Sequence, residues 1–218
     1  DCTTAVKCSA CGYEISPANT HNYAYTAQDN VITETCSNSG CTHTAEATLT
    51  APAGTLTYDG TTAFDVSVAY GAGWTAGDLT ISYTKDGASV TDTKGAGTYT
   101  ASITIGGQTA NVSYTVNKAK PTIVTEPEAS RVRRGRLLST SDLTGGVVNG
   151  LEGLPLEGTW TWQNDREMTE TGTFNETAVF TPTNTNYESV EVVNIPVTVY
   201  RSSSGGGSST TTYYTITF

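Results

Sequence analysis

From residue 64 to residue 116 apolar and polar side chains alternate with a period of two. Phe64, Val66, Val68 and Tyr70 share one face, as do Leu79, Ile81 and Tyr83. Tyr99, Ala101, Ile103 and Ile105 continue the series, then Val112, Tyr114 and Val116. Successive side chains of a strand point to opposite sides, so such runs predict half-buried strands. Turn signals separate them at Asp59-Gly60, Asp86-Gly87 and Gly106-Gly107. The last predicts a two-residue hairpin, because two glycines satisfy the positive φ angles that such a turn demands.

A second alternating region follows the short joint Lys118-Ala119-Lys120-Pro121, where Pro121 biases Lys120 toward an extended conformation. Its inward set is Leu154 and Leu156, Trp160 and Trp162, then Phe174, Ala178 and Phe180. Near its end Val190 and Val192 are followed by Val193, Ile195, Val197 and Val199. The phase flips between Val192 and Val193, which predicts a bulge or bend there. Pro196 lies in the same strand, so its amide side is expected at an edge or unpaired. Leu138 to Leu143 has room for one helical turn. Ser202 to Ser209 reads as a flexible polar linker, after which Tyr214, Ile216 and Phe218 alternate as if another β module were starting.

Composition agrees with an all-β chain. Of the 218 residues 36% are hydrophobic and 15% charged, and Thr, Gly and Ser are abundant while helix-forming stretches are missing. The net charge of −10 opposes binding to nucleic acid or to an anionic membrane surface. No apolar run approaches the ~20 residues of a membrane span. The expected organisation is a cysteine-bearing β-hairpin module over 1–49, immunoglobulin-like β-sandwiches over 50–118 and 119–200, a Ser/Gly linker over 201–211 and the start of a further β module over 212–218. The chain thus reads as a fragment of a longer protein, with export and anchoring signals outside it.

Two segments carry a family resemblance. Leu56-Thr57-Tyr58-Asp59-Gly60-Thr61-Thr62, with Gly97-Thr98-Tyr99-Thr100-Ala101 downstream, resembles the Tyr-Asp-Gly type of bacterial immunoglobulin-like repeat. In that family the Gly-Thr-Tyr-Thr stretch is similar to the tyrosine-corner strand of the sandwich. Gly158-Thr159-Trp160-Thr161-Trp162, followed by Phe180-Thr181-Pro182-Thr183-Asn184-Thr185-Asn186-Tyr187, resembles a related repeat. Both kinds occur in large exported proteins of Gram-positive anaerobes. The resemblance therefore implies an extracellular, cell-wall-associated location and brings no catalytic residue with it.

Residues 1–49 hold all five cysteines and both histidines. Cys8-Ser9-Ala10-Cys11-Gly12 has the form of a metal-binding knuckle: two thiolates three positions apart reach one ion, and Gly12 permits the turn that aims amides at the sulfurs. Cys36 and Cys41 would supply the other half of a tetrahedral site for one structural zinc ion. This resembles a zinc ribbon, although the second pair lacks the compact form of the first. Disulfides are the alternative for a small exported module, with Cys2 left over from the five, and free thiols are a third. His21 and His43 would flank the site or replace a cysteine, or else be hydrogen-bonded or solvated. A redox enzyme at Cys8 and Cys11 is disfavoured because no βαβ pattern surrounds them.

The remaining candidates have plainer readings. Beyond residue 49 there is neither histidine nor cysteine, which removes His-assisted nucleophiles from both sandwiches. Gly71-Ala72-Gly73 reads as a strand connection, with no helix after it to bind a phosphate. Arg131, Arg133, Arg134 and Arg136 read as an edge strand or loop compensated by Glu126 and Glu128. Trp74, Trp160 and Trp162 are bulky enough to stack on a sugar, but Trp160 and Trp162 are expected to fill core. The leading function is a non-catalytic structural spacer or stalk whose partners are neighbouring domains of the same polypeptide. The alternative is a module binding cell-wall, host or dietary glycans through Trp160 and Trp162.

Overall fold

The computed structural model describes residues 6–16 and 21–202. Cys2, the Ser/Gly linker beyond Ser202 and the Tyr214–Phe218 alternation lie outside the described residues. The described chain is built from strands, with two 3₁₀ turns as its helical elements. It divides into two compact units, one running through Lys120 and including Thr185–Glu188, the other beginning at Pro121.

In the first unit β1 (Val6–Lys7) and β2 (Glu14–Ser16) form a small ladder of their own. There follow β3 (Tyr23–Gln28), β4 (Val31–Cys36), β5 (Thr44–Thr50), β6 (Leu56–Thr57), β7 (Ser67–Tyr70), β8 (Ser82–Lys85), β9 (Ala88–Val90), β10 (Gly97–Ile105) and β11 (Gln108–Asn117). One sheet has the order β3-β4-β5-β7, the other β6-β11-β10-β8-β9. Strand pairing runs straight across the expected boundary at residue 49. Thr50 pairs with Ser67 and Ala47 with Tyr70. Ile32, Ala47 and Leu49 are fully buried in the same core as Tyr99, Ala101, Ile103 and Ala110. The reason is amphipathicity: a lone three-stranded sheet has one apolar face and must bury it against another layer. The cysteine-bearing hairpin is therefore a structural part of the first sandwich.

Tyrosine hydroxyls close this sandwich where the ladders stop. The strand expected from Phe64 is regular only from Ser67, and the one expected from Leu79 only from Ser82. In the gaps the Val66 amide donates to Tyr83 Oη at 2.9 Å and the Leu79 amide to Tyr70 Oη at 2.6 Å. Tyr114 donates its hydroxyl to the Phe64 carbonyl at 2.5 Å, and burial pushes its phenol well above the ordinary value. Tyr99, stacked on Tyr114 at 5.3 Å, donates to the carbonyl of Gly95 at 2.8 Å. That bond, from the start of a core strand back to the backbone four residues upstream, is the tyrosine corner of an immunoglobulin-like sandwich. Gly106 and Gly107, at φ 56° and 76°, make the two-residue hairpin turn.

The second unit contains β12 (Thr122–Thr125), β13 (Glu128–Ala129), β14 (Val132–Arg133), β15 (Leu143–Thr144), β16 (Val147–Asn149), β17 (Gly158–Trp162), β18 (Gly172–Pro182) and β19 (Val190–Tyr200). Its main sheet runs β14-β19-β18-β17, and the pairs β12-β16 and β13-β15 form separate ladders. Leu138–Thr140 makes the single helical turn expected near there. Leu154 departs from expectation: it follows a 3₁₀ turn at Leu151–Gly153 and is 62% exposed, whereas Leu156 is half-buried like Trp160. Phe180 pairs with Trp160 across the ladder and lies where a Cβ on Gly158 would be, 2.4 Å from its Cζ. That explains why the Gly-Thr-Trp-Thr-Trp motif opens on glycine.

The bulge in β19 is where the phase flip places it. Ala178 pairs with Val192 and Glu176 with Ile195, so three steps on β19 oppose two on β18. Asn194 takes up the extra residue at φ 64°, which returns Ile195, Val197 and Val199 to the core. Val193, expected among the inward residues, is 58% exposed because the flip occurs around it. The parallel partner β14 reaches only Val199 and Tyr200 and stops short of Pro196.

Asn194→Val should cost about 1–2 kcal/mol, since a β-branched residue strains in the left-handed region, while Asn194→Gly should be neutral or slightly stabilising. Urea unfolding midpoints of the two variants check this. Equal losses for both would show that the Asn194 side chain, not its backbone angle, stabilises the bulge.

Candidate functional site

The polar side chains worth chemical attention gather at one end of the β3-β4-β5-β7 sheet. Tyr23 pairs with Cys36, and the backbone just beyond that pair is closed by further bonds. The Ser37 amide donates to the Asn22 carbonyl at 2.8 Å, Cys36 N–H to His43 O at 3.1 Å, and Cys41 N–H to Asn38 O at 3.1 Å. These bonds fold the loop from Cys36 to His43 back on itself beside the chain entering β3. His21 Nδ1 then lies 3.4 Å from Cys41 Sγ. One ligand atom each from His21, Cys36 and Cys41 lies within 4.8 Å of the others, and all three residues are half-buried.

A buried polar group stands next to this cluster. Glu34, on β4, is 0% exposed. Its Oε1 faces His43 Nε2 at 3.2 Å and accepts the Thr75 hydroxyl at 3.0 Å, while Oε2 accepts the Tyr25 hydroxyl at 3.3 Å. Burial, with the carboxylate adding to it, raises the Tyr25 pKa. His43 is thus hydrogen-bonded through Nε2, the commoner fate of a histidine. Three rings pack beside it: His21 lies flat on Tyr23 at 5.3 Å, and both touch His43 at 5.4 Å. Neither Glu34 nor Thr75 was singled out from the sequence. A lone glutamate at an inward position of β4, in phase with Ile32, was the available signal.

Cys8 and Cys11 share a local turn. The Gly12 amide donates to the Cys8 carbonyl at 2.8 Å, and Gly12 sits at φ 72°, so the knuckle turn is present. The Cys11 side chain, then the amides of Ala10 and Cys11, hydrogen-bond the Cys8 sulfur and lower its pKa. Of the four cysteines expected as one ligand set, Cys36 and Cys41 converge with His21.

The other candidates are placed as follows. Trp162 donates Nε1–H to the Ser141 carbonyl at 3.0 Å, and Trp160 packs on Phe180 at 5.2 Å; both are half-buried against the apolar cluster of Ala178, Val192 and Ile195. Both, with Asp142, Asp165, Ser139 and Ser141, line a cavity of about 380 Å³. Trp74 stacks on Tyr70 at 5.6 Å, and its amide bonds back to Gly71, so Gly71-Ala72-Gly73 is a tight connection. Arg131 lies 5.0 Å over the Tyr200 ring, and Arg134 Nε donates to Thr169 O at 2.6 Å. Among the described residues no ion pair joins these arginines to Glu126 or Glu128.

No protein-family model matches the chain, and the comparison with curated proteins found no match. Among solved structures it is similar to immunoglobulin domains 1–5 of Sidekick-1, at 14% identity and TM-score 0.26, over 79% of this chain and 45% of that one. It is also similar to three N-terminal domains of the Highly Immunogenic Outer Capsid protein of bacteriophage RB49, at 12% identity and TM-score 0.29, covering 79% and 78% of the two chains. A three-domain immunoglobulin structure of titin gives 12% identity and TM-score 0.29 over 87% and 85%. The chain spans less than half the length of the Sidekick-1 structure. Scores this low leave the fold resting on its own strand order, shared core and tyrosine corner.

Glu34→Ala leaves His43, Thr75 and Tyr25 facing an emptied buried site and should cost about 3 kcal/mol. Glu34→Gln keeps one acceptor and should cost about 1 kcal/mol. Chemical denaturation of both variants measures the difference, and a loss below about 1 kcal/mol for the alanine variant would mean that water replaces the carboxylate.

Proposed function

We propose that this chain is a non-catalytic structural spacer, a run of immunoglobulin-like modules in an exported bacterial protein that holds neighbouring domains of the same polypeptide away from the cell wall. What supports the reading most is a fastening that recurs in both units. In the first, β6 pairs parallel with the end of β11, Leu56 with Val116 and Thr57 with Asn117, and the Tyr58 amide then donates to the Asn117 carbonyl at 2.9 Å. In the second, β14 pairs parallel with the end of β19, Val132 with Val199 and Arg133 with Tyr200, and the Arg134 amide donates to the Tyr200 carbonyl at 2.8 Å. Tension that reaches such a parallel pair loads it in shear, so its hydrogen bonds resist together instead of unzipping one by one. Forced unfolding is governed by the unfolding rate, and bonds loaded in shear lower that rate.

The bacterial, cell-wall-associated assignment rests on the sequence motifs. Asp59 of the Tyr-Asp-Gly motif accepts the Thr62 hydroxyl and the amides of Thr62 and Thr61, which hold its carboxyl down at about 2. That Asx-type turn is why Thr61 and Thr62 follow the glycine in the motif.

A second reading is favoured by one observation, the cavity beside Trp160 and Trp162. Two indole edges with Asp142 and Asp165 nearby are a composition suited to stacking on a sugar and accepting its hydroxyl hydrogens. Such a module would bind cell-wall, host or dietary glycans.

Pulling the chain from its ends in a force spectrometer tests the spacer role. Arg134→Pro, which deletes the donor to Tyr200, should lower the rupture force of the second unit, while Arg134→Ala should leave it near wild type; rupture at the same force in both would remove the mechanical argument. A polysaccharide panel decides the second reading. Saturable binding that is lost in Trp160→Ala and Trp162→Ala favours it, and no binding across the panel leaves the spacer.

A further inference from the structure

The convergence of His21, Cys36 and Cys41 has the dimensions of a coordination site. In tetrahedral zinc, bonds of about 2.3 Å to sulfur and about 2.0 Å to imidazole nitrogen place neighbouring ligand atoms about 3.5–3.8 Å apart. Cys41 Sγ and His21 Nδ1 are 3.4 Å apart, and Cys36 Sγ completes a triangle whose sides are all within 4.8 Å. The His21–Cys41 side already matches that spacing, and the other two exceed it by at most about 1.3 Å. We propose that these three residues bind one borderline-soft divalent ion of the zinc class, and that Cys8 and Cys11 are not needed to hold it. The proposal stands independently of the spacer reading.

The chemistry of the donors selects the ion. Two thiolates and an imidazole disfavour calcium and magnesium, which take oxygen ligands, and suit zinc. The surroundings are those of a supported site. His21 is held flat on Tyr23, and its neighbour His43 is fixed by the buried Glu34. His43, bonded through Nε2 to Glu34 and in ring contact with His21, is not one of the three residues whose ligand atoms converge. Backbone bonds from Cys36, Ser37 and Cys41 close the ligand loop, so the entropy of bringing its two ends together is met by the fold. Bound there, an ion would fasten the β4–β5 loop to the segment leading into β3.

Two rival chemistries make opposite predictions. A disulfide between Cys36 and Cys41 would consume both sulfur ligands, and a four-cysteine ribbon would need Cys8 and Cys11. The reduced full chain is titrated with cobalt(II), and the thiolate-to-cobalt absorption is read along with the native mass after zinc loading. Wild type should take up one ion with the band intensity of two thiolates, and the Cys8→Ser/Cys11→Ser double variant should match it in stoichiometry and intensity. His21→Ala and Cys36→Ser should each weaken binding at least about tenfold. Circular dichroism identifies any variant that fails to fold, and His21→Asn then takes the place of the alanine variant. Loss of the ion in the double serine variant, a band of four-thiolate intensity in wild type, unchanged affinity in His21→Ala, or no ion bound by the reduced protein would each overturn the proposal. A purified chain that is lighter by two hydrogens at Cys36 and Cys41, and binds no ion until reduced, would likewise assign the pair to a disulfide.

Discussion

The inner faces of β4 and β5 offer Ile32, Ala47 and Leu49, and these side chains are removed from water in one core shared with Tyr99, Ala101, Ile103 and Ala110 from β10 and β11. Each fully buried aliphatic side chain is worth about 1.5–3 kcal/mol relative to exposure. A three-stranded hairpin sheet alone would forfeit that stabilisation, and so would the opposite sheet. The shared core therefore decides which strands are neighbours, and β7 completes the sheet by pairing with β5. Tyrosine hydroxyls then satisfy the backbone groups left over where ladder pairing ends.

The polar site follows from this packing. Because β4 must turn Ile32 inward, Glu34, two residues on, faces inward as well, and burial obliges it to find partners. It finds them in Tyr25, Thr75 and His43, which come from three separate stretches of chain. Fixing His43 in turn orders the loop that carries Cys36 and Cys41 and sets the rings of Tyr23 and His21 against it. A buried carboxylate of this kind is costly to maintain, but it specifies how the loop is oriented on the sheet.

The second unit reaches a similar end with different means. Its core is divided into smaller clusters, and the long hairpin of β18 and β19 must change phase midway to serve them. The bulge at Asn194 performs that change. Both units nonetheless finish alike, with a short two-residue strand laid parallel to the last strand and one further amide bonding to its final carbonyl.

Alternation by itself determined the all-β class, the hairpin at Gly106-Gly107 and the phase flip at Val192 and Val193, because each depends on side-chain direction along one strand and on local backbone angles. The Gly-Thr-Tyr-Thr stretch marked the tyrosine corner, since Tyr99 reaches a carbonyl only four residues away. The tertiary structure alone decided that residues 23–50 belong to the first sandwich, because pairing of Thr50 with Ser67 and burial of Leu49 against β10 and β11 join segments whose periodicity says nothing about which partner they choose. It likewise decided that Leu154 stays in solvent after a 3₁₀ turn, and that His21 stands beside Cys36 and Cys41. Spacing in the chain limits which ligands can share an ion; only the closing of the sheet and its end loop brings three of them to one point.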